Sequence, residues 1–288
     1  MKPGRFSYEA PKTLEDALAS LTARGDNAKV IAGGQSLAPM LNMRLARPEH
    51  LIDINGLKEL GQVRLEDDRL TIGALTRHAA LSSSDLVHHY CPMLAYAAET
   101  IGHYAIRQRG TLGGSIAHAD PAAQLPLAAL VLDAEIEIRS AIGTRMVRAR
   151  DFFLSIFTTV LDPNELLVAV HVPTSRQREG WGFRLFNRRA GDFAIVSVAT
   201  TLELGDNGAI NRLRLAVGGI GPVPVRVEDL VTAEVSETGL EGWSARLAAA
   251  VADAIQIEDN ERTPVEFRRE LVAALTRDAL DQALERAR

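Results

Sequence analysis

Two glycine pairs in matching settings constrain this chain most: Ala32-Gly33-Gly34-Gln35-Ser36, followed by Leu37, and Thr111-Leu112-Gly113-Gly114-Ser115, followed by Ile116. Glycine lacks a Cβ, so the backbone can turn through positive φ and bring successive amide N–H groups toward one point, a geometry that suits a dianionic phosphate. Two such loops can grip a diphosphate from opposite sides. Taken singly, each pair has a structural alternative, because most Gly-Gly pairs simply make tight turns. Neither loop continues as Gly-Lys-Ser/Thr, and neither provides the Gly-x-Gly-x-x-Gly opening of a dinucleotide-binding βαβ unit. A mononucleotide triphosphatase is disfavoured.

A chain of 288 residues, 47% hydrophobic and 24% charged, is long enough for a sizeable core and predicts two domains. Its 32 basic and 37 acidic residues give a formal charge of -5, which offers no general attraction to nucleic acid or an anionic membrane. The start has no long apolar run of a signal peptide, and no later stretch approaches the roughly 20 apolar residues that span a bilayer, so the expected location is the cytoplasm. Cys91 is the only cysteine, so the chain can form no internal disulfide and cannot supply the four thiolates of an iron–sulfur cluster. Any cluster must sit on another chain. His88, His89 and Cys91 lie close together, but no second ligand pair accompanies them, and they read as a polar helix end.

Along the chain, Thr13-Leu14-Glu15-Asp16 opens a helix with Leu14, Ala17, Leu18 and Leu21 at helical spacing and Gly25 as its stop. Residues 28–31 predict a strand running into the first glycine pair, and 51–54 another ending at Asn55-Gly56, which closes a small α/β unit. Residues 69–73 look extended, Thr76 is a cap for a helix carrying Ala79, Ala80 and Leu81, and a further helix is expected over 93–104. Residues 125–132 read as helix and 135–139 alternate as a half-buried strand, turned back at Gly143-Thr144 into 145–149. A β-type run over 165–172 ends at Pro173. Helices mixed with antiparallel strands indicate an α+β domain. The polar segment 174–180 is the expected boundary. Beyond it, 193–204 and 210–217 are β-rich runs around the hairpin signal Gly205-Asp206-Asn207-Gly208. Thr263-Pro264-Val265-Glu266 then opens a C-terminal helix bearing Phe267, Leu271, Leu275 and Leu280.

Taken with Ala117-His118-Ala119-Asp120-Pro121, Gly191-Asp192-Phe193-Ala194 and Glu266-Phe267-Arg268-Arg269, the glycine segments resemble the FAD-binding medium subunits of molybdenum hydroxylases. These are related to carbon monoxide dehydrogenase and to the central flavin domain of xanthine dehydrogenase. The resemblance spans nearly the whole chain. It implies an α+β fold: a two-subdomain FAD-binding domain of the vanillyl-alcohol-oxidase (PCMH) type over residues 1–175, with subdomains of about 1–56 and 57–175, and a smaller α+β C-terminal domain over 176–288. This is not a Rossmann fold.

By position, the resemblance implies that Ala32, Gly33, Gly34, Gln35, Ser36 and Leu37, with Thr111, Gly113, Gly114 and Ser115, enclose the FAD diphosphate, mainly through backbone amides, with hydroxyl donors from Ser36 and Thr111. Asp120 matches a position close to the flavin; its alternative is an Asp-Pro turn. Gln124 stands where an acidic residue is common, and its amide still hydrogen-bonds without charge. Leu167 matches a position whose backbone approaches the ring, although a strand-core leucine explains the residue type as well. Arg184 matches a basic position near the flavin, with a solvated arginine as the alternative. Asp192 and Phe193 belong to a motif near the flavin in which some relatives carry tyrosine at the second position. His118 is read as loop-shaping, since the resembled subunits bind FAD noncovalently and use it for electron transfer.

The resemblance therefore implies an electron-transfer subunit with noncovalent FAD and no catalytic side chain. Its partners would be a small subunit with [2Fe-2S] clusters and a large subunit with the molybdenum cofactor, as a heterotrimer or its dimer. No nucleic acid and no membrane span belong to this expectation. Two alternatives stand beside it: a stand-alone PCMH-type flavin oxidoreductase, and a non-enzymatic nucleotide-binding assembly module.

Overall fold

A computed structural model describes residues 2–231, 242–260 and 263–288. Its first unit runs β1 (Ser7–Glu9), α1 (Leu14–Arg24), β2 (Ala28–Ile31), α2 (Leu37–Asn42) and β3 (His50–Asp53). The strands form a parallel sheet in the order β1-β3-β2. Thr13 Oγ1 accepts from the Asp16 amide at 3.1 Å and so caps α1, whose Leu14, Ala17, Leu18 and Leu21 pack with Ile52 and Ile54. This is the α/β unit expected from periodicity.

The next unit adds β4 (Val63–Glu66), β5 (Arg69–Gly73), α3 (His78–Ser83), α4 (Asp85–Tyr90), α5 (Pro92–Glu99), α6 (Tyr104–Arg109), α7 (Leu112–His118) and α8 (Gln124–Val131). It continues with β6 (Glu135–Ser140), β7 (Gly143–Arg148), α9 (Ala149–Phe152), β8 (Phe153–Ser155), β9 (Thr158–Thr159) and β10 (Leu166–Pro173). Five of these strands make an antiparallel sheet in the order β4-β5-β10-β6-β7. Every residue of α8 is buried, which is why its sequence after Gln124 is an unbroken apolar run rather than an amphipathic stripe.

Two expectations are corrected in this unit. The helix over 93–104 is two helices, because Gly102 takes φ of 50° and Arg107 Nη1 donates to the carbonyls of Ile101 and Gly102 at 2.9 and 3.1 Å. A left-handed glycine ends one helix, and the arginine consumes the carbonyls that would continue it. Thr76 does not cap α3; that position belongs to Arg77, and Thr76 is buried behind it.

The third unit is an antiparallel sheet of β11 (Glu179–Phe186), β12 (Val196–Leu204), β13 (Ile210–Gly218) and β14 (Val225–Arg226), covered by α10 (Trp243–Ala254) and α11 (Val265–Ala287). Strand β12 begins three residues later than the β-rich run, since 187–194 forms a loop. The N-cap of α11 is Pro264 rather than Thr263. Gly180 and Gly182 face α11 so closely that a Cβ on either would overlap the carbonyl of Ala283 or Ala279. The opposite face turns Trp181 and Phe183 toward Tyr96, at ring separations of 5.6 and 6.1 Å, and Ala199 and Ala216 join the core of the second unit. The sheet is thus sandwiched between its own last helix and the helices of the second unit, which fixes where the 187–194 loop emerges.

Candidate functional site

At the end of β2 the chain leaves the sheet, with the Ile54 amide donating to Ile31 at 3.1 Å, and turns through Gly34 at φ of 69° into α2. Ala38 donates to the Gly34 carbonyl at 3.0 Å, and Gln35 Nε2 folds back onto the Gly33 carbonyl at 2.9 Å. Among the described residues, none accepts a hydrogen bond from the amides of Gly33 to Leu37. This is an open row of donors leading into a helix, with the partial positive charge that such a row carries.

The second glycine pair is built differently from the expected loop. Gly113 and Gly114 lie in the first turn of α7, and their amides are already engaged: Leu112 donates to Thr76 at 2.9 Å, Gly113 to Ala74 at 2.8 Å, and Ser115 to the Thr111 carbonyl at 3.0 Å. Thr111 is 2% exposed, and its Oγ1 accepts from the Gly114 amide at 3.1 Å. Its oxygen therefore caps the helix, while its buried O–H remains free to donate. Gly113 is required because a Cβ there would strike Ala74, whereas Gly114 is exposed and Ser115 half-exposed. Of the two clasps read from the sequence, one presents amides and the other presents a docked helix start.

The two meet through one missing methyl group. A Cβ on Gly33 would overlap the Arg109 carbonyl and sit 2.9 Å from Gly110 Cα, so the first segment rests directly on the residues that lead into the second. Side chains outside both segments hold this junction, and nothing in the sequence singled them out. Arg77 donates through Nη1 to the Arg109 carbonyl and through Nη2 to Asn55 Oδ1 at 2.7 Å, and Asn55 Nδ2 donates to the Ala32 carbonyl at 2.7 Å. His78 bonds the Thr111 carbonyl through Nε2 at 2.9 Å, while its Nδ1 is buried without a partner. Burial lowers the His78 pKa to about 4, against the help of that hydrogen bond, so the ring is neutral near pH 7. Asn55 had carried only a turn signal with Gly56.

The remaining expected positions divide. His103 touches the 187–194 loop, since a Cβ on Gly191, at φ of 89°, would meet its ring. Asp192 and Phe193 sit on that loop, and Phe193 is 59% exposed. Gln124 is buried and donates to the Thr100 carbonyl at 3.3 Å. Residues 100–110 therefore touch the first glycine segment, Gln124 and the Phe193 loop. Asp120 makes the Asp-Pro turn, accepting from the Ala122 amide at 2.9 Å. Leu167 is buried in β10 where the pairing with β6 slips between Leu167 and Ala169. His118 stacks on Phe157 with centroids 4.7 Å apart. Arg184 lies elsewhere: on the same face of β11 as Gly182, it opens with Asp278, Asp281 and Glu285 of α11 onto a surface depression. Strand alternation turns its side chain to the helix rather than to either glycine segment. Cys91 is buried with its thiol pushed up to about 12, and His88 bonds the Ser82 carbonyl.

Residues 4–175 match the model of the FAD binding domain in molybdopterin dehydrogenase, and residues 181–283 that of the CO dehydrogenase flavoprotein C-terminal domain. The chain belongs to the FAD-binding medium subunits of the molybdenum hydroxylases. Among its relatives in this medium-subunit family is the alpha subunit of the 6-hydroxypseudooxynicotine dehydrogenase complex of Paenarthrobacter nicotinovorans. It is 40% identical over 288 residues, covering 100% of this chain and 97% of the relative. The carbon monoxide dehydrogenase medium chain of Hydrogenophaga pseudoflava is 39% identical over 228 residues, 79% of each chain. Solved structures agree in fold: carbon monoxide dehydrogenase from Hydrogenophaga pseudoflava gives a TM-score of 0.94 at 34% identity, covering 99% of both chains. Quinoline 2-oxidoreductase from Pseudomonas putida 86 gives 0.92 at 32%, covering 100% and 99%.

FAD is the cofactor of this medium-subunit family, and the residues present suit it. The open amides of Gly33 to Leu37 supply donors for phosphate oxygens, and the missing Cβ of Gly33 lets that row rest against Arg109, just before the second glycine segment. Two extra phosphate charges placed there face no acidic side chain of either glycine segment.

Proposed function

We propose that this chain is the electron-transfer subunit of a molybdenum-dependent hydroxylase, standing between the [2Fe-2S] clusters of a small partner and an external acceptor. A large partner with the molybdenum cofactor would carry substrate hydroxylation. Noncovalently bound FAD supplies the redox chemistry. The chain's own residues bind and orient it: Ala32 to Leu37 hold the diphosphate through main-chain amides, with Gly113, Gly114 and Ser115 closing the other side. Thr111 fixes the turn, Asp120, Gln124 and Leu167 shape the wall beyond it, and Asp192 and Phe193 approach from the third unit. No side chain is needed as nucleophile or proton carrier, and a single cysteine leaves the clusters to another chain.

The observation that carries this reading is the open amide row resting, through Gly33, on the Arg109 carbonyl beside the second segment. The domain division at 174–180 and a cytoplasmic location belong to the same proposal; no described helix is long and apolar enough to cross a membrane. Reconstituting the chain with FAD, and identifying the polypeptides that accompany it from its native source, tests the reading. Expected are flavin absorbance that survives gel filtration and two co-purifying chains, one of them cysteine-rich. Absence of bound flavin supports the assembly module instead, and rapid reduction of the isolated chain by a small organic substrate supports the stand-alone oxidoreductase.

A further inference from the structure

We propose that Arg77 and Asn55 form a bracket that sets the spacing of the two glycine segments, which makes them positioning residues for the FAD diphosphate. The proposal deepens the FAD reading above and rests on it. The Arg109 carbonyl is the point where three stretches of chain meet. The bare Cα of Gly33 lies on it, Arg77 Nη1 donates to it, and Arg77 pairs with Thr111 as an antiparallel bridge just beyond it. From the same guanidinium, Nη2 reaches Asn55 Oδ1 at 2.7 Å, and Asn55 Nδ2 reaches the Ala32 carbonyl, also at 2.7 Å. The Ala32 carbonyl of the first glycine segment and the Arg109 carbonyl just ahead of the second are thus tied to a single fork and a single amide.

The bracket is anchored from behind. The Asn55 amide and Nδ2 both donate to Asp53 Oδ1, at 2.8 and 2.6 Å, and the Tyr8 hydroxyl donates to Asp53 Oδ2 at 2.6 Å. Asp53 ends the central strand of the first sheet, so the tie runs from a rigid element rather than from a loop. Fixed dipoles bind an anion well only when their spacing is set before the anion arrives. The open amides lie on one segment and the docked helix start on the other, so that spacing is a distance between two subdomains. A planar guanidinium holds two acceptors at a defined separation; an ammonium on a flexible stem does not.

The full-length chain and its Arg77→Gln, Arg77→Lys, Asn55→Ala and Arg77→Gln/Asn55→Ala variants are compared for affinity toward FAD, ADP and riboflavin, with urea midpoints of each apo protein. Expected is a loss of about 10- to 100-fold for FAD and ADP in every variant, Lys included, as for a lost charge-assisted hydrogen bond. Riboflavin, which lacks the diphosphate, keeps its wild-type affinity, and the double variant binds no more weakly than the weaker single one. Wild-type affinity in Arg77→Lys overturns the bracket, because charge alone then suffices. So do additive losses, equal losses for riboflavin, or losses that merely track a collapse of the urea midpoint. Wild-type chain that takes up no FAD sinks the FAD reading itself, a separate and visible result.

Discussion

One absent methyl group at Gly33 lets the first glycine segment rest on Arg109 and Gly110, which lead into the second. Gly33→Ala places a Cβ in the Arg109 carbonyl and forces the segments apart, with an expected destabilisation of about 1–3 kcal/mol, as for overpacking, and a parallel fall in FAD affinity. Urea denaturation of the apo chain and a flavin titration measure the two. His78 is the second residue whose role is local and exact in sign. Its folded pKa of about 4 lies below the usual value of 6.5, through burial first and the nearby charges of Arg107 and Arg77 after it. The unfolded chain therefore binds more protons between these values, so the contribution of His78 is full above pH 6.5 and is lost as pH falls toward 4. At about 1.4 kcal/mol per unit this is of order 3 kcal/mol. His78→Gln, which keeps a donor for the Thr111 carbonyl, should flatten that limb; equal slopes for wild type and variant between pH 7 and 4.5 would refute it. At this scale the sequence pointed to the glycines and missed the side chains that join them. Arg77, Asn55 and His78 carry no spacing signal, because their partners lie 22 to 33 residues away.

Among the elements, periodicity was legible, capping only at Thr13, and context was not. Thr13 and α1, the strand before Gly33, the alternating β6 and the hairpin at Gly208 all follow from local chemistry. Gly113 and Gly114 were legible as glycines but not as a helix, since Gly113 is set by the approach of Ala74 and Gly114 by the Thr111 hydroxyl that caps the turn. The break before Gly102 escaped for a related cause: apolar residues continue past it, and the break depends on its φ and on Arg107, which reaches back from the next helix. The last helix tells the same story. It docks on β11 because Gly180 and Gly182 leave room for Ala283 and Ala279. Gly182→Val should destabilise the third unit by about 3 kcal/mol, the upper part of the range for overpacking, with a lower thermal midpoint that FAD does not restore.

On the scale of the whole molecule, the third unit is joined to the second by packing and by an ionic knot among the described residues. Asp133, in a left-handed turn between α8 and β6, accepts from Arg214 at 2.6 Å and from Arg226 at 2.5 Å, both on the far sheet. Arg226 also meets Glu228, and Arg214 lies 3.6 Å from Glu179. Asp133→Asn leaves both arginines short of a counter-charge, and the partly exposed pair predicts a loss of about 1–2 kcal/mol in urea. Arg214→Met in the same background should add less than it does alone. Arg184 belongs to this scale too: its residue type matched a flavin-side position, but strand alternation and the last helix turn it the other way. By itself the sequence indicated a diphosphate-type ligand and most of the elements, because glycine placement and periodicity act over a few residues, and its motifs, by resemblance, indicated the family. The tertiary structure alone decided which glycine segment keeps its amides free, which side chains hold the segments together and which face Arg184 takes, because each depends on contacts between residues far apart in the chain.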